Sequence, residues 1–288
     1  MIHRIYDSLP ELLEAAKLPP HPEYEGQPSS KNTSFDYYKW TQTKNFQEAI
    51  NLATYGWPKG LKAVYKLASK YKEVFQDLLP KQDHATEQTY DIEGEFVDIG
   101  RYIQGDPECM VKFIPSNDKV KQGNKLQRIV VNGSFSSMIN PESLFIHSAL
   151  IINLSDAIEM CGFKTEIVMI NLLANEYCGS ALLVYQTTLK QFEDFPDFTK
   201  IAFCLCHPSM FRRIILSLME QEDNDTRRNL YITPDGFYGY PVQIPSQLLT
   251  TNDLHIPQLT SNISNIDQKI QEFKQIIQQH FGEQVITE

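Results

Sequence analysis

The loop 132–136, with the sequence Asn-Gly-Ser-Phe-Ser, has the residue types of a ligand-binding site. It follows the apolar run Ile129–Val131, which is typical of a strand buried on both faces of a parallel sheet. Open α/β sheets bind ligands at the carboxyl ends of their strands, and hydroxyl and amide oxygens are ligands for hard cations such as Mg²⁺. The loop is therefore the first candidate for a binding site.

An acidic cluster lies earlier in the chain and consists of Asp91, Glu93, Glu95 and Asp98. Such carboxylates could bind a cation, and Asp91, Glu93 or Glu95 together with Asp235 could serve a metal-dependent hydrolase. Alternation on a solvent-exposed strand explains the same pattern without a metal.

A third group, Cys204-Leu-Cys206-His207, contains residue types that can bind a metal or act as a nucleophile. No second Cys or His pair stands at zinc-site spacing, so we expect these cysteines to be core residues of a buried strand, 201–206. The sequence also lacks a P-loop, a dinucleotide-binding glycine motif and a Gly-x-Ser-x-Gly element. We therefore expect a protein that is not an enzyme.

Lysines at helical spacing form a basic stripe on a helix that begins at Pro58: Lys59, Lys62, Lys66 and Lys70. The stripe is either a solvated face or a binding surface for phosphates or an acidic partner. The pairs Arg212-Arg213 and Arg227-Arg228 stand among acidic residues, which favours a salt-bridged surface over a nucleic-acid contact.

The elements around the loop predict an α/β architecture. Pro141 begins a long helix that ends at Gly162, and a strand and a hairpin partner follow at 165–170 and 181–189. Alternation of strands and helices indicates a doubly wound, mostly parallel sheet of the Rossmann-like class, covered on both faces. A central position is expected for the strand Ile129–Val131.

Composition changes divide the chain into three parts. Residues 1–30 are predicted to be an arm and linker, 31–125 a helical module with short strands, and 126–288 the α/β domain. The arm either is mobile or docks on the rest of the protein.

Charge and cysteine content limit the functional classes. The formal net charge is -10 and is concentrated after residue 125, which argues against a general nucleic-acid coat. Five cysteines form no even disulfide framework, so a reducing, cytoplasmic compartment is expected. No apolar run reaches the ~20 residues that cross a bilayer, so we expect no membrane association.

An apolar strand ending in Asn132-Gly-Ser134-Phe-Ser136, a long helix and a two-stranded hairpin resemble the von Willebrand factor A fold over about residues 126–281. The metal-ion-dependent adhesion site of that family begins with Asp-x-Ser-x-Ser. The resemblance assigns Ser134 and Ser136 to its serines, Thr187 or Thr188 to its threonine, and Asp235 to its late acid. Asn132 replaces the first Asp, and a proline interrupts Thr-Asp-Gly. The resemblance thus implies a degraded site that binds Mg²⁺ or Mn²⁺ weakly.

The segments 40–60 and 105–110 also resemble an uncharacterised family of bacteriophages and mobile elements. The two resemblances imply a phage-encoded, non-enzymatic adaptor in the host cell cytoplasm, whose protein partner is an ATPase assembly or another component of phage or host machinery. The alternatives are a nucleic-acid-associated phage factor for transcription or replication, and the metal-dependent hydrolase.

Overall fold

The computed structural model describes residues 1–25, 27, 29–31, 38–68, 75, 78–79, 86–94, 96–115, 125–175, 182–234 and 237–286. Its strands are β1 (Ile2–Tyr6), β2 (Thr86–Asp91), β3 (Phe96–Val97), β4 (Met110–Pro115), β5 (Lys125–Asn132), β6 (Phe163–Ala174), β7 (Leu182–Lys190), β8 (Ile232–Thr233), β9 (Phe237–Tyr238), β10 (Tyr240–Pro241) and β11 (Asp253–Ile256). Its helices are α1 (Leu9–Lys17), α2 (Tyr38–Thr41), α3 (Phe46–Tyr55), α4 (Pro58–Ala68), α5 (Ile99–Gln104), α6 (Pro141–Met160), α7 (Phe198–Cys206), a π-helical segment (Met210–Ile215) that continues into α8 (Leu216–Met219), α9 (Asn224–Leu230) and α10 (Ile266–Ile286).

The main sheet has the strand order β1-β7-β6-β5-β11, and β10 adds a short antiparallel pairing to β6. β5 lies in its interior, parallel to both β6 and β11, so its predicted central position is confirmed. β6 and β7 form the predicted antiparallel hairpin, while β1 pairs with β7 in parallel. The fold is therefore mixed α/β with a mostly parallel central sheet, as the sequence indicates.

Side chains of β5 alternate between two apolar clusters. Ile129 and Val131 belong to the large core that contains the buried residues of the helices, and Val130 belongs to a smaller cluster on the opposite face. That opposite face is covered by the irregular segment 242–249. The arrangement thus differs from the doubly wound sheet predicted from the sequence, because the buried helical residues in the described part of the chain lie on one face.

Helix α6 crosses from β5 to β6 and is almost entirely buried. Its start is fixed by Asn140, whose Oδ1 accepts a hydrogen bond from the backbone N of Ser143 (2.7 Å), and by Pro141 in the first turn. Among the described residues, α6 is the one single helix that is long and apolar enough to cross a membrane. Of its apolar 18-residue stretch, 78% is buried inside the protein.

The N-terminal residues are part of the main body. β1 completes one edge of the sheet, and α1 buries Leu9, Leu12, Leu13 and Ala16 in the large core. Of the two alternatives for the arm, the structure shows docking. Buried residues of α3 and α4 belong to the same core, so the segments predicted as 1–30, 31–125 and 126–288 share it.

One predicted strand is wrong, because residues 201–206 lie in helix α7, whose first turn is capped by Asp197. Residues 201–206 are apolar on every side, so their pattern does not distinguish a buried helix from a buried strand. The strands predicted within 83–125 are present as a small antiparallel sheet, β2-β4-β3, with α5 between β3 and β4.

Candidate functional site

The loop after β5 is closed by its own polar side chains. Asn132 Nδ2 donates to the carbonyl of Val242 (2.9 Å), and its Oδ1 accepts from the backbone N of Ser134 (3.0 Å). Ser134 Oγ accepts from the backbone N of Leu172 at 2.5 Å. A Cβ at Gly133 would lie 2.7 Å from Asn171 Oδ1, which explains the glycine. These groups fasten the end of β5 to β6 and to the segment 242–249.

The structure describes three of the four other residues assigned to a cation by resemblance. Ser136 Oγ accepts from the backbone N of Met138 (3.2 Å), which closes a local turn. Thr187 and Thr188 lie within β7, and β6 separates them from β5, a distance of about 10 Å at the usual strand spacing. Asp235 lies outside the described residues. Within the part of the chain that the structure describes, no three His, Cys, Asp or Glu residues are grouped to hold a metal ion.

Two of the early acidic residues have separate structural roles. Asp91 lies 3.8 Å from Lys112 Nζ on the neighbouring strand, and Asp98 caps helix α5 by accepting from the backbone N of Arg101 (3.0 Å). Glu93 is exposed, and Glu95 lies outside the described residues.

Two histidines near the strand ends are buried and neutral. His207 lies against the rings of Trp57 and Phe203, with centroids 4.8 and 5.0 Å away, and burial lowers its pKa to about 4. Burial also lowers the pKa of His147 to about 3. Cys204 and Cys206 are buried on α7, which agrees with the core role predicted for them. These groups are enclosed by packing, as core residues are.

The arginine pair in the π-helical segment is buried, contrary to the predicted surface role. Arg213 Nε donates to Thr43 Oγ1 (2.7 Å), and Nη1 donates to the carbonyl of Ser30 (3.0 Å). Arg212 Nη1 donates to the carbonyl of Trp40 (2.7 Å), and Nη2 to that of Ile139 (2.6 Å). Burial lowers the pKa of Arg212 to about 10. The two arginines thus fix Ser30, Trp40 and Thr43 to the core.

Two buried glutamates that follow α8 also bind residues near the N-terminus. Glu220 accepts from the backbone N and Oγ of Ser30 (2.6 and 3.0 Å) and from the hydroxyl of Tyr238 (2.6 Å). Glu222 accepts two hydrogen bonds from Arg4 on β1 (3.2 and 2.8 Å). Arg227 is buried as well, whereas Arg228 is exposed.

The lysine stripe is solvent-facing where the structure describes it. Lys59, Lys62 and Lys66 on α4 are all exposed, and Lys70 lies outside the described residues. The three described lysines therefore present charge on one side of α4, as the spacing predicts.

A large open space lies beside α4. We call it the α4–α5 groove: it has a volume of about 1150 Å³ and is lined by α4, the small sheet, α5, the C-terminal end of α6 and residues 195–199. Leu61 and Val111 are buried in its floor. Gly94 is required in one wall, because a Cβ there would lie 2.4 Å from the carbonyl oxygen of Val111.

Large apolar side chains stand exposed along the groove. Phe195 is 85% exposed, Tyr102 66% and Val97 44%, and all three line it. Phe195 also lines a second cleft of about 460 Å³ beside α1. It therefore projects from a ridge between two concave surfaces.

Both signs of charge occur in the groove. Lys62 lines it together with the carboxylates of Asp98, Asp156, Glu159 and Asp197. Glu159 pairs with the buried Lys190 at 2.9 Å. Burial acts to raise the pKa of Asp197, but hydrogen bonds from Thr199 and Lys200 outweigh it and lower that pKa below its usual value. The lining is thus ionic as well as apolar.

The sequence predicts the lysine stripe but does not predict the groove beside it. Its lining comes from segments that are far apart in the chain, and their contact depends on the tertiary fold. One local signal existed: Phe195 stands in the polar run Gln191-Phe-Glu-Asp-Phe-Pro-Asp197, where a packed aromatic residue is not expected.

Comparison with known proteins gives one match. The model of a family described as Domain of unknown function (DUF7192) matches residues 2–282. No match to a curated protein or to a solved structure reaches significance. Because the family model covers nearly the whole chain, this protein belongs to the DUF7192 family.

Proposed function

We propose that this chain is a non-enzymatic protein-interaction protein and that its partner binds at the α4–α5 groove. The observation that carries the proposal is the exposed aromatic rim, Tyr102 and Phe195, over a groove of about 1150 Å³. Exposed apolar patches of this kind, bordered by polar residues, are typical of protein-binding sites.

The open boundary of the groove favours a macromolecule over a metabolite. Pockets for small molecules enclose most of the ligand. Exposed side chains, including Lys62 and Phe195, form the boundary of this groove instead. Aromatic anchors surrounded by charged residues are the usual composition of a binding hot spot in a protein interface.

The two buried histidines and the loop after β5 favour the same proposal. His147 and His207 are buried with pKa values of about 3 and 4, so they are neutral and enclosed near physiological pH. Asn132 and Ser134 use their side chains in hydrogen bonds that hold the loop. None of these groups faces the α4–α5 groove.

The von Willebrand factor A resemblance is part of this proposal. It is supported by an interior β5, the long helix α6 and the antiparallel β6–β7 hairpin, in the order that the resemblance implies. In this interpretation the loop after β5 has kept a structural role, and recognition has moved to the groove and the lysines of α4.

Site-specific photo-crosslinking tests the proposal. A photoreactive amino acid at position 195 is expected to crosslink a protein in cells that naturally express the chain. Tyr102→Ala in the same protein is expected to reduce that crosslink at least several-fold. Met138 is 81% exposed and does not line the groove, so Met138→Ala is the matched control. Absence of any protein crosslink, or nuclease-sensitive crosslinking to nucleic acid instead, would contradict the proposal.

A further inference from the structure

We infer that the partner of the α4–α5 groove is a second copy of this chain, bound about a two-fold axis. The inference rests on the proposed function, in that it takes this face to be a protein-binding face. It adds the identity of the partner.

The face has a projecting aromatic ring and a concave surface next to each other. Phe195 projects from the lip of the groove with 85% of its surface exposed, and the groove into which a partner's ring would fit lies immediately beside it. In a two-fold interface each contact occurs twice, so a knob and a hole on the same face are satisfied together. Two-fold pairing would place each Phe195 in the groove of the other copy.

The apolar surface at this face has the matching distribution. Val97 and Tyr102 are exposed on the small sheet and α5, and Leu61 and Val111 lie behind them in the floor. An inserted aromatic ring would therefore contact apolar side chains and cover the exposed ones. Burying a phenylalanine side chain in such a surface stabilises an association.

The charges favour a second copy over a partner of one sign. Lys59 and Lys62 are exposed on α4, while Asp98, Asp156 and Asp197 lie at the same groove. The lysines would repel a uniformly basic partner, and the carboxylates would repel a uniformly acidic one. A second copy presents both signs, and a two-fold rotation can place the lysines of each copy near the carboxylates of the other.

Sedimentation velocity over a range of concentrations tests the inference with the full chain. The natural sequence is expected to sediment as a dimer that dissociates on dilution. Phe195→Asp is expected to raise the dimer dissociation constant at least tenfold, because it places a carboxylate against an apolar floor. Met138→Asp, a change of the same kind at another exposed position, is the control and is expected to leave the dimer intact.

Charge provides a second, independent readout. Lys62→Glu is expected to weaken the dimer at least several-fold at low ionic strength and to reduce its dependence on salt. Circular dichroism melting of each variant establishes that the monomer is folded. A natural sequence that stays monomeric at the highest attainable concentration, or a dimer insensitive to Phe195→Asp, overturns the inference. If crosslinking from position 195 then captures a different protein and Tyr102→Ala reduces it, the proposed function stands; if it captures none, both fail.

Discussion

Arg213 joins residues that are about 170 positions apart in the chain, because its guanidinium donates to Thr43 and to the carbonyl of Ser30. Replacing it by methionine leaves buried acceptors without donors, and each such group costs about 1–3 kcal/mol. We expect Arg213→Met to lower the free energy of unfolding by about 3 kcal/mol or more in denaturant titrations.

The same chain offers a matched control for this arginine. Arg228 is exposed, and Arg228→Met is expected to change the free energy of unfolding by no more than about 0.5 kcal/mol. Equal effects of the two substitutions would contradict the anchoring role of Arg213.

Asn132 shows why a family motif can persist in outline without its ligand. The resemblance predicts that Asn132→Asp improves cation binding. The structure leads to a different expectation, because Nδ2 donates to the carbonyl of Val242 and a carboxylate oxygen there would face that carbonyl. We expect Asn132→Asp to destabilise the fold by about 1–3 kcal/mol, with no recovery of the melting temperature in millimolar MgCl₂. If the melting temperature of Asn132→Asp recovers in Mg²⁺ and that of Ser136→Ala does not, the loop binds a cation after all.

Glu220 gives the fold a dependence on pH. Its carboxylate is fully buried, and burial raises its pKa above the usual 4.5. The folded state thus binds the proton more tightly than the unfolded state. The stability that this proton provides is complete below the unfolded pKa and is lost as pH rises through the folded pKa.

The variant Glu220→Gln removes this titration while keeping an oxygen that accepts hydrogen bonds. We therefore expect the melting temperature of Glu220→Gln, relative to that of the natural sequence, to increase as the pH rises from about 4 to about 7. Tyr238→Phe, which removes one donor to Glu220 without removing the carboxylate, should keep the pH dependence. A difference between Glu220→Gln and the natural sequence that is constant over this range would refute the assignment.

At the level of elements, those with strong local signals were predictable. Asn45 caps α3 by accepting from Glu48 N (2.8 Å), and Asn140 caps α6. α7 was not predicted correctly, since its apolar run has no polar side and its capping residue, Asp197, follows a Phe-Pro pair that reads as a loop. β1 was not predicted either, because an edge strand of five residues shows little alternation of polarity.

The exposed face of α4 gives a test at this scale. Lys62 and Lys66 are both exposed, and surface substitutions usually change stability by no more than about 0.5 kcal/mol. Lys62→Glu with Lys66→Glu is accordingly expected to leave the melting temperature nearly unchanged while weakening binding at the groove. A large loss of stability would mean that these lysines support the fold.

At the scale of the whole molecule, the sequence indicated the sheet and the central position of β5, because both follow from local apolar runs. It did not indicate the α4–α5 groove or the attachment of the N-terminal residues. The groove forms only when α4, α5 and the end of α6 meet. The attachment depends on buried polar contacts such as Arg213 with Thr43, and buried charged residues look the same in sequence as exposed ones.

The pairing of β1 with β7 also determines the order in which the protein can form during translation. β1 has its partner at residues 183–187, so about 180 residues that follow β1 are synthesised before that edge of the sheet can close. Until then, Ile2 and Tyr6 lack the surface that partly buries them. Contacts between such distant residues also slow folding, because a long loop must close first. A nascent chain from which residues 183–187 have not yet emerged should therefore expose Ile2 and Tyr6.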